Sequence, residues 1–206
     1  MGRWLAAIAL GAASLVAVWG ATAVASTATK VIYVAPVNSA GQPLAGLGVA
    51  AAVQGHCEPG SDSVPGPVYR CFSGNKVIDP CWADSALPGS VLCMQRPWER
   101  TVLRLDTEQP LEPSSEPVPR GLGFPWGVKL ANGERCVAAQ GAHDQFRGRV
   151  VDYGCGTRFH LVLLRGMHKA REPWSFDSAI WTGSRYVPGP RETVRTAWYG
   201  GPAPGS

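Results

Sequence analysis

The chain has 206 residues, of which 17% are charged and 45% are hydrophobic, and its formal net charge is +4. This length allows one domain or two small ones. The composition excludes an acidic disordered chain, a coiled coil and a collagen, and the small charge excess gives no reason to expect a nucleic-acid partner.

Residues 1–25 have the features of a signal peptide. Arg3 supplies a positive charge, no charged side chain follows from Trp4 to Ala25, and the sequence ends in the small residues that signal peptidase recognises. We expect cleavage after Ala25 and a secreted, extracytoplasmic protein with no transmembrane segment after cleavage. The alternative is an uncleaved N-terminal membrane anchor, because the uncharged run reaches the length of about 20 residues that spans a bilayer.

Short β-prone runs separated by Gly, Pro and Asn make up the rest of the chain and predict a mainly β fold of antiparallel sheets. Residues 26–54 form an N-terminal segment with a short strand at 30–34, and its stretch 41–54 could be strand, short helix or ordered coil. Residues 55–199 form the disulfide-stapled domain, either as one unit or as lobes 55–106 and 126–199. The connection 107–125 holds five prolines, which exclude a central strand or a helix, and residues 200–206 are expected to be a disordered tail.

Candidate strands are bounded by turn signals, two of which are tight hairpins at Gly74-Asn75 and Asn132-Gly133. The predicted strands are Val68–Phe72, Lys76–Asp79, Ser90–Gln95, Thr101–Leu105, Gly127–Leu130, Arg135–Gln140, Arg149–Tyr153, Phe159–Leu164, Ala179–Trp181 and Thr193–Tyr199.

Six cysteines follow the signal peptide, and an even number in an exported chain predicts three disulfides. An antiparallel hairpin places Cys136 opposite Cys155 on one face of a sheet. For the other four cysteines we prefer Cys57–Cys71 and Cys81–Cys93, because the Gly74-Asn75 hairpin places Cys71 opposite Ile78 rather than Cys81, but other pairings stay open. The wide spacing of the cysteines argues against a metal site.

Several strings around these cysteines resemble a family of secreted six-cysteine domains found in exported actinobacterial proteins. They are C-x13-CFSGN-x-VIDPCW at 57–82, VLCMQRPW at 91–98, PWGVKLANGERC at 125–136 and YGC at 153–155. The resemblance covers residues 57–155, and its D-P-C and N-G-x-x-C elements are the most specific. It implies an extracytoplasmic module of unknown function, alone or attached to a membrane anchor, and supplies no catalytic residue.

No string typical of a nucleophile elbow, a metalloprotease or a nucleotide site is present, so we expect no catalytic residue, cofactor or metal. His143 beside Asp144 is the one acid–base pair that proximity suggests. A hydrolase would instead need a carboxylate pair, for which the available side chains are Asp79, Asp84, Glu99, Asp106, Asp152 and Asp177.

Six tryptophans follow the signal peptide, and exposed indoles bind sugar rings or anchor interfaces. The stretch around Trp174 and Trp181 is the densest in aromatic side chains and is flanked by arginines, which could hold an anionic polymer; each indole could instead pack in the core. The candidate ligand contacts are Trp98, Trp126, Trp174, Trp181 and Arg185.

The leading hypothesis is a secreted, non-catalytic binding module that acts on an unknown polymer or protein partner at or outside the cell envelope. The first alternative is a hydrolase of envelope polymers. The second is a secreted enzyme inhibitor that uses the loop 82–92, which two cysteines brace.

Overall fold

A computed structural model describes residues 28–61, 64, 66–114 and 124–201. The predicted signal peptide, part of the proline-rich connection and residues 202–206 lie outside these ranges. Among the described residues, no helix is long and apolar enough to cross a membrane.

All regular structure in the described ranges is β-strand. The strands are β1 (Lys30–Val34), β2 (Gly48–Pro59), β3 (Tyr69–Ser73), β4 (Lys76–Ala83), β5 (Ser90–Cys93), β6 (Thr101–Thr107), β7 (Gly127–Leu130), β8 (Arg135–Ala138), β9 (Gln145–Phe146), β10 (Arg149–Cys155), β11 (Leu161–Leu164), β12 (Ser175–Trp181) and β13 (Tyr186–Gly200).

Strands β2 to β6 form the first barrel. Neighbours along the chain pair antiparallel, and β6 closes the ring by pairing parallel with β2. Gly74 has φ +60°, the left-handed conformation that the two-residue turn between β3 and β4 requires. Alternating side chains point inward and make a small core that consists of Tyr69, Cys71, Ile78, Cys81, Val91, Cys93 and Leu105.

The second barrel is a ring in the order β13-β12-β11-β10-β8-β7, closed by pairing of β7 with β13. The long strand β13 pairs with β12 over its first half, and over its second half it pairs with β7 and, in parallel, with β1. The short strand β9 folds back on the start of β10.

The two barrels share a buried interface that is continuous with the core of the second barrel. Trp82 of the first barrel packs against Trp126 with ring centroids 5.9 Å apart, and Trp98 packs against Trp198 at 5.3 Å. The Gln140 side-chain amide also donates a hydrogen bond to the Asp79 carbonyl across the interface. The barrels are therefore two lobes of one folded unit.

The structure contains the disulfides Cys57–Cys71, Cys81–Cys93 and Cys136–Cys155, which are the pairs expected from the sequence. The mainly β, two-lobed fold is confirmed, and every predicted strand overlaps an observed one. Both predicted hairpins form, with Cys71 opposite Ile78 and Lys129 opposite Arg135.

Three boundaries differ from the prediction. The first barrel begins at Gly48 rather than at residue 55, because β2 pairs with β6 from that residue onward. The segment 30–34 pairs with β13 and so belongs to the second barrel. The first half of β13 was not predicted because it contains Pro188 and Pro190, which a strand tolerates when it pairs on one side only, as here with β12.

A candidate ligand groove on the second barrel

A groove with a volume of about 470 Å³ lies on the outer surface of the second barrel, beside the first barrel. This volume is within the range of small-ligand sites, roughly 300–1,000 Å³. Its floor consists of Val137, Gly154 and Val162, whose chain neighbours in β8, β10 and β11 point into the barrel core. Alternation along a strand therefore turns these three residues outward. The other lining residues are Gln95, Arg96, Ala138, Ala139, Gln140, Ala142, His143, Asp144, Val151, Phe159 and Tyr186.

Phe159 lies over the groove floor. A Cβ atom at Gly154 would come within 2.3 Å of the Phe159 ring, so only glycine leaves room for this contact. Phe159 has φ +48° and yet remains 50% exposed. A bulky residue in this left-handed region costs about 1–2 kcal/mol relative to its usual conformations. Phe159 thus combines an unfavourable backbone conformation with a half-exposed ring.

Tyr186 lines the groove, and it belongs to an aromatic cluster whose other members, Phe146 and Trp181, lie outside the lining. Tyr186 packs on Phe146 at 6.3 Å and on Trp181 at 4.9 Å between ring centroids. Trp181 is 39% exposed. Burial, and then the hydrogen bond that the Tyr186 hydroxyl donates to Asp144, raise the pKa of Tyr186 to about 12. Tyr186 therefore stays a neutral hydroxyl at physiological pH.

The loop that carries His143 and Asp144 is pinned to the start of β10. The His143 imidazole Nδ1 lies 2.9 Å from the Val151 carbonyl oxygen, and the Val151 amide donates to the Asp144 carbonyl. The Asp144 carboxylate instead accepts the Tyr186 hydroxyl at 2.8 Å. His143 and Asp144, the acid–base candidate suggested by proximity in the sequence, therefore bond to different partners rather than to each other.

The tryptophans do not surround one concavity, contrary to the sequence-based hypothesis. Trp126 is fully buried in the interface and is wrong as a ligand contact. Trp98 is half-buried against Trp198 and Arg135, and Trp174 is half-buried beneath the Lys169 ammonium. Only Trp181 among the four candidates is exposed.

Arg185 is exposed in the turn between β12 and β13, where its backbone bonds to Thr182, and it does not line the groove. The nearby Arg191 pairs with Asp177 at 3.0 Å. The arginines of this region therefore do not converge on the groove.

Most carboxylates that could have served a hydrolase hold structural contacts. Glu99 pairs with Arg96, Asp106 with Arg104, Asp152 with Arg165, and Asp177 with Arg149 and Arg191. Asp84 accepts the Ala86 amide in a turn, and Asp79 is buried in β4. Asp144 is the one carboxylate among the residues that line the groove.

A different carboxylate pair lies outside the groove lining. Burial, and then the nearby charge of Glu134, raise the pKa of Glu192. The His160 imidazole Nε2 lies 3.9 Å from a Glu134 oxygen. Neither glutamate was predicted, since they are distant in sequence and only the pairing of β13 with β7 brings Glu192 near the turn that carries Glu134.

The sulfur atoms of Cys71, Cys81 and Cys93 lie within 4.8 Å of one another, which would suit a metal ion. All three are oxidised in disulfides, however, and thiolate sulfur is the form that binds metals. The arrangement is therefore structural.

The predicted inhibitor loop is a compact turn between β4 and β5. The Asp84 carbonyl accepts the Leu87 amide, and the Leu87 carbonyl accepts the Ser90 amide. Leu87 is 44% exposed at this tip. Leu87 is accordingly the side chain with which to test this alternative.

Sequence reasoning missed Phe159, Tyr186, Gln95 and Arg96 as groove residues. We expected Phe159 to begin a strand, but β11 begins at Leu161. One sequence signal could have pointed to Phe159: it is a large aromatic residue that follows Gly156 closely, in a short connection between two predicted strands. Gln95 and Arg96 come from the other barrel, and local sequence carries no information about that contact.

No protein-family model, characterised protein or solved structure matches this chain. The resemblance to the six-cysteine family therefore stays a prediction.

Proposed function

We propose that this protein is an exported, non-catalytic binding module whose ligand occupies the outer groove of the second barrel. The signal-peptide pattern at residues 1–25 supports export, and three disulfides fit an oxidising compartment. The ligand is a component of the cell envelope or a partner outside it.

The observation that carries the proposal is the conformation of Phe159. Its ring is half exposed over a floor of small side chains, and its backbone is held in a region that disfavours phenylalanine. Strained conformations of this kind are held in place by the surrounding structure and cluster at binding and active sites. Trp181 and Tyr186 add exposed aromatic surface close by, and aromatic side chains are common anchors in binding sites.

The test is Phe159→Gly in the oxidised protein. Glycine adopts φ +48° without strain, so we expect the free energy of unfolding to stay within about 1 kcal/mol of the parent. Retention on insoluble cell-envelope material, measured by co-sedimentation, should fall about tenfold or more.

Leu87→Ala is the matched control, because it removes an exposed apolar side chain from the first barrel. It should leave retention unchanged. Equal retention of the parent and Phe159→Gly would contradict the proposal. Loss of retention in Leu87→Ala alone would favour the enzyme-inhibitor alternative.

The hydrolase alternative is favoured by one observation, the raised pKa of Glu192 beside Glu134. In this alternative Glu192, whose pKa is raised, is the candidate general acid, and Glu134 is the second carboxylate of the pair. Under this alternative the parent releases soluble sugars from envelope polymers and Glu192→Gln abolishes the release. If neither the parent nor Glu192→Gln releases soluble sugars, the hydrolase alternative is wrong.

A further inference from the structure

The groove floor is the face of a sheet rather than its edge. Val137, Gly154 and Val162 lie on β8, β10 and β11, whose backbone groups pair with one another in ladders. An extended peptide gains affinity by adding a strand to a free edge. A ligand of this groove must instead bond to side chains.

The side chains at the groove suit hydroxyl groups. The Gln140 amide nitrogen, His143 Nδ1 and one Asp144 oxygen bond within the protein, which leaves the Gln140 side-chain carbonyl, His143 Nε2, the other Asp144 oxygen and the Gln95 amide for a ligand. Together these groups include both donors and acceptors of hydrogen bonds. They therefore suit a sugar hydroxyl, which can donate one hydrogen bond while it accepts another. The apolar floor and the Phe159 ring complement the C–H surface of a sugar ring.

The groove has no surplus of positive charge. Arg96 and Asp144 are the charged side chains among its lining residues. Arg96 also pairs with Glu99 at 2.8 Å, so its charge is already balanced. An anionic polymer would meet no surplus of positive charge here, contrary to the interaction expected from the arginines in the sequence.

We infer that the groove binds a short neutral saccharide, with a sugar ring against Phe159 and its hydroxyls bonded to side chains of both barrels. This inference rests on the proposed function and names its ligand class. Gln95 and Arg96 of the first barrel form one side, and His143 and Asp144 of the second barrel form another. The relative placement of the barrels thus completes the site.

The experiment is calorimetric titration of the oxidised protein with four probes. They are trimers of N-acetylglucosamine, glucose and galacturonic acid, and an extended alanine-rich peptide. We expect binding of at least one neutral trimer, with an affinity that salt does not change and that falls about tenfold in Phe159→Gly. Gln95→Ala should weaken the same binding, and Leu87→Ala should not.

Two results would overturn the ligand class and leave the proposed function standing, provided that envelope retention still depends on Phe159. The first result is binding of a charged or peptide probe: either the galacturonic acid trimer binds more tightly than the neutral trimers and in a salt-sensitive way, or the peptide binds. The second result is that none of the four probes binds. Absence of both probe binding and Phe159-dependent retention would overturn the inference and the proposed function together.

Discussion

The two barrels reach stability by different means. Three of the seven buried residues in the core of the first barrel are cysteines, whereas the cluster that fills the second barrel and the interface has two among eighteen. The second cluster instead contains large side chains such as Trp126, Tyr153 and Phe176. A small barrel buries too little apolar surface to be stable without crosslinks.

This difference suggests a division of roles. The first barrel holds two disulfides and contributes Gln95 and Arg96 to the edge of the groove. The second barrel supplies the floor, Phe159 and Tyr186. A site built mainly on strands of a well-packed barrel is held in shape by the core beneath it.

The strongest test of this comparison uses two variants, each of which lacks one disulfide, in the first barrel or in the second. We expect Cys81→Ala with Cys93→Ala to lower the free energy of unfolding by about 4–5 kcal/mol, because it removes two sulfurs from a small core. Cys136→Ala with Cys155→Ala also removes two buried sulfurs, but from a much larger core, and should cost about 3 kcal/mol. Denaturant unfolding measures both variants.

Loop entropy alone predicts the opposite order, since the loop closed by Cys136–Cys155 is longer, at 19 residues against 12. That difference amounts to only about 0.4 kcal/mol. A larger loss in the Cys136→Ala, Cys155→Ala variant would show that the core of the first barrel does not depend on its sulfurs.

The next largest effect concerns the interface between the barrels. Trp126 is fully buried against Trp82, so Trp126→Ala should lower the free energy of unfolding by about 3–5 kcal/mol. The described residues give its indole N–H no hydrogen-bond partner. Trp126→Phe should therefore cost less than half as much, and equal costs in denaturant unfolding would contradict this account of the interface.

The smallest effect concerns an ion-pair network on the outside of the second barrel. Asp177 contacts Arg149 at 2.8 Å, Arg191 at 3.0 Å and His168 at 3.2 Å. The hydrogen bond from Arg149, followed by those from the other two, lowers the pKa of Asp177 from 3.8 to about 2. Because the folded-state pKa is depressed, the stabilisation is complete above about pH 4 and is lost as the pH falls through 2.

Asp177→Asn should accordingly cost about 1 kcal/mol at neutral pH, since the network is partly exposed, and nothing near pH 2. Unfolding of the parent and the variant across this pH range measures the difference. A difference that stays constant with pH would show that packing, rather than charge, accounts for the effect.

The fold was largely predictable from the sequence because its signals are local. Gly74-Asn75 and Asn132-Gly133 fix two hairpins, and alternation in the antiparallel pair of β8 with β10 places Cys136 opposite Cys155. Contacts between distant strands leave no such signal. The parallel pairing of β2 with β6 and of β1 with β13 therefore emerged only from the structure.

The groove was harder to predict than the fold. Trp126 and Trp181 belong to the same residue type, yet one fills the interface core and the other is exposed. Only three-dimensional packing decides between these outcomes. Phe159, on which the proposal depends, is marked by its backbone conformation, which no composition or spacing encodes.

The central claim is that the outer groove of the second barrel is the ligand site. Amide chemical-shift mapping during titration with soluble envelope fragments tests it most directly. The account predicts shifts at Val137, Gly154, Phe159 and Val162, together with the Gln95–Arg96 edge. Shifts confined to the first barrel, for example around Leu87, would contradict it.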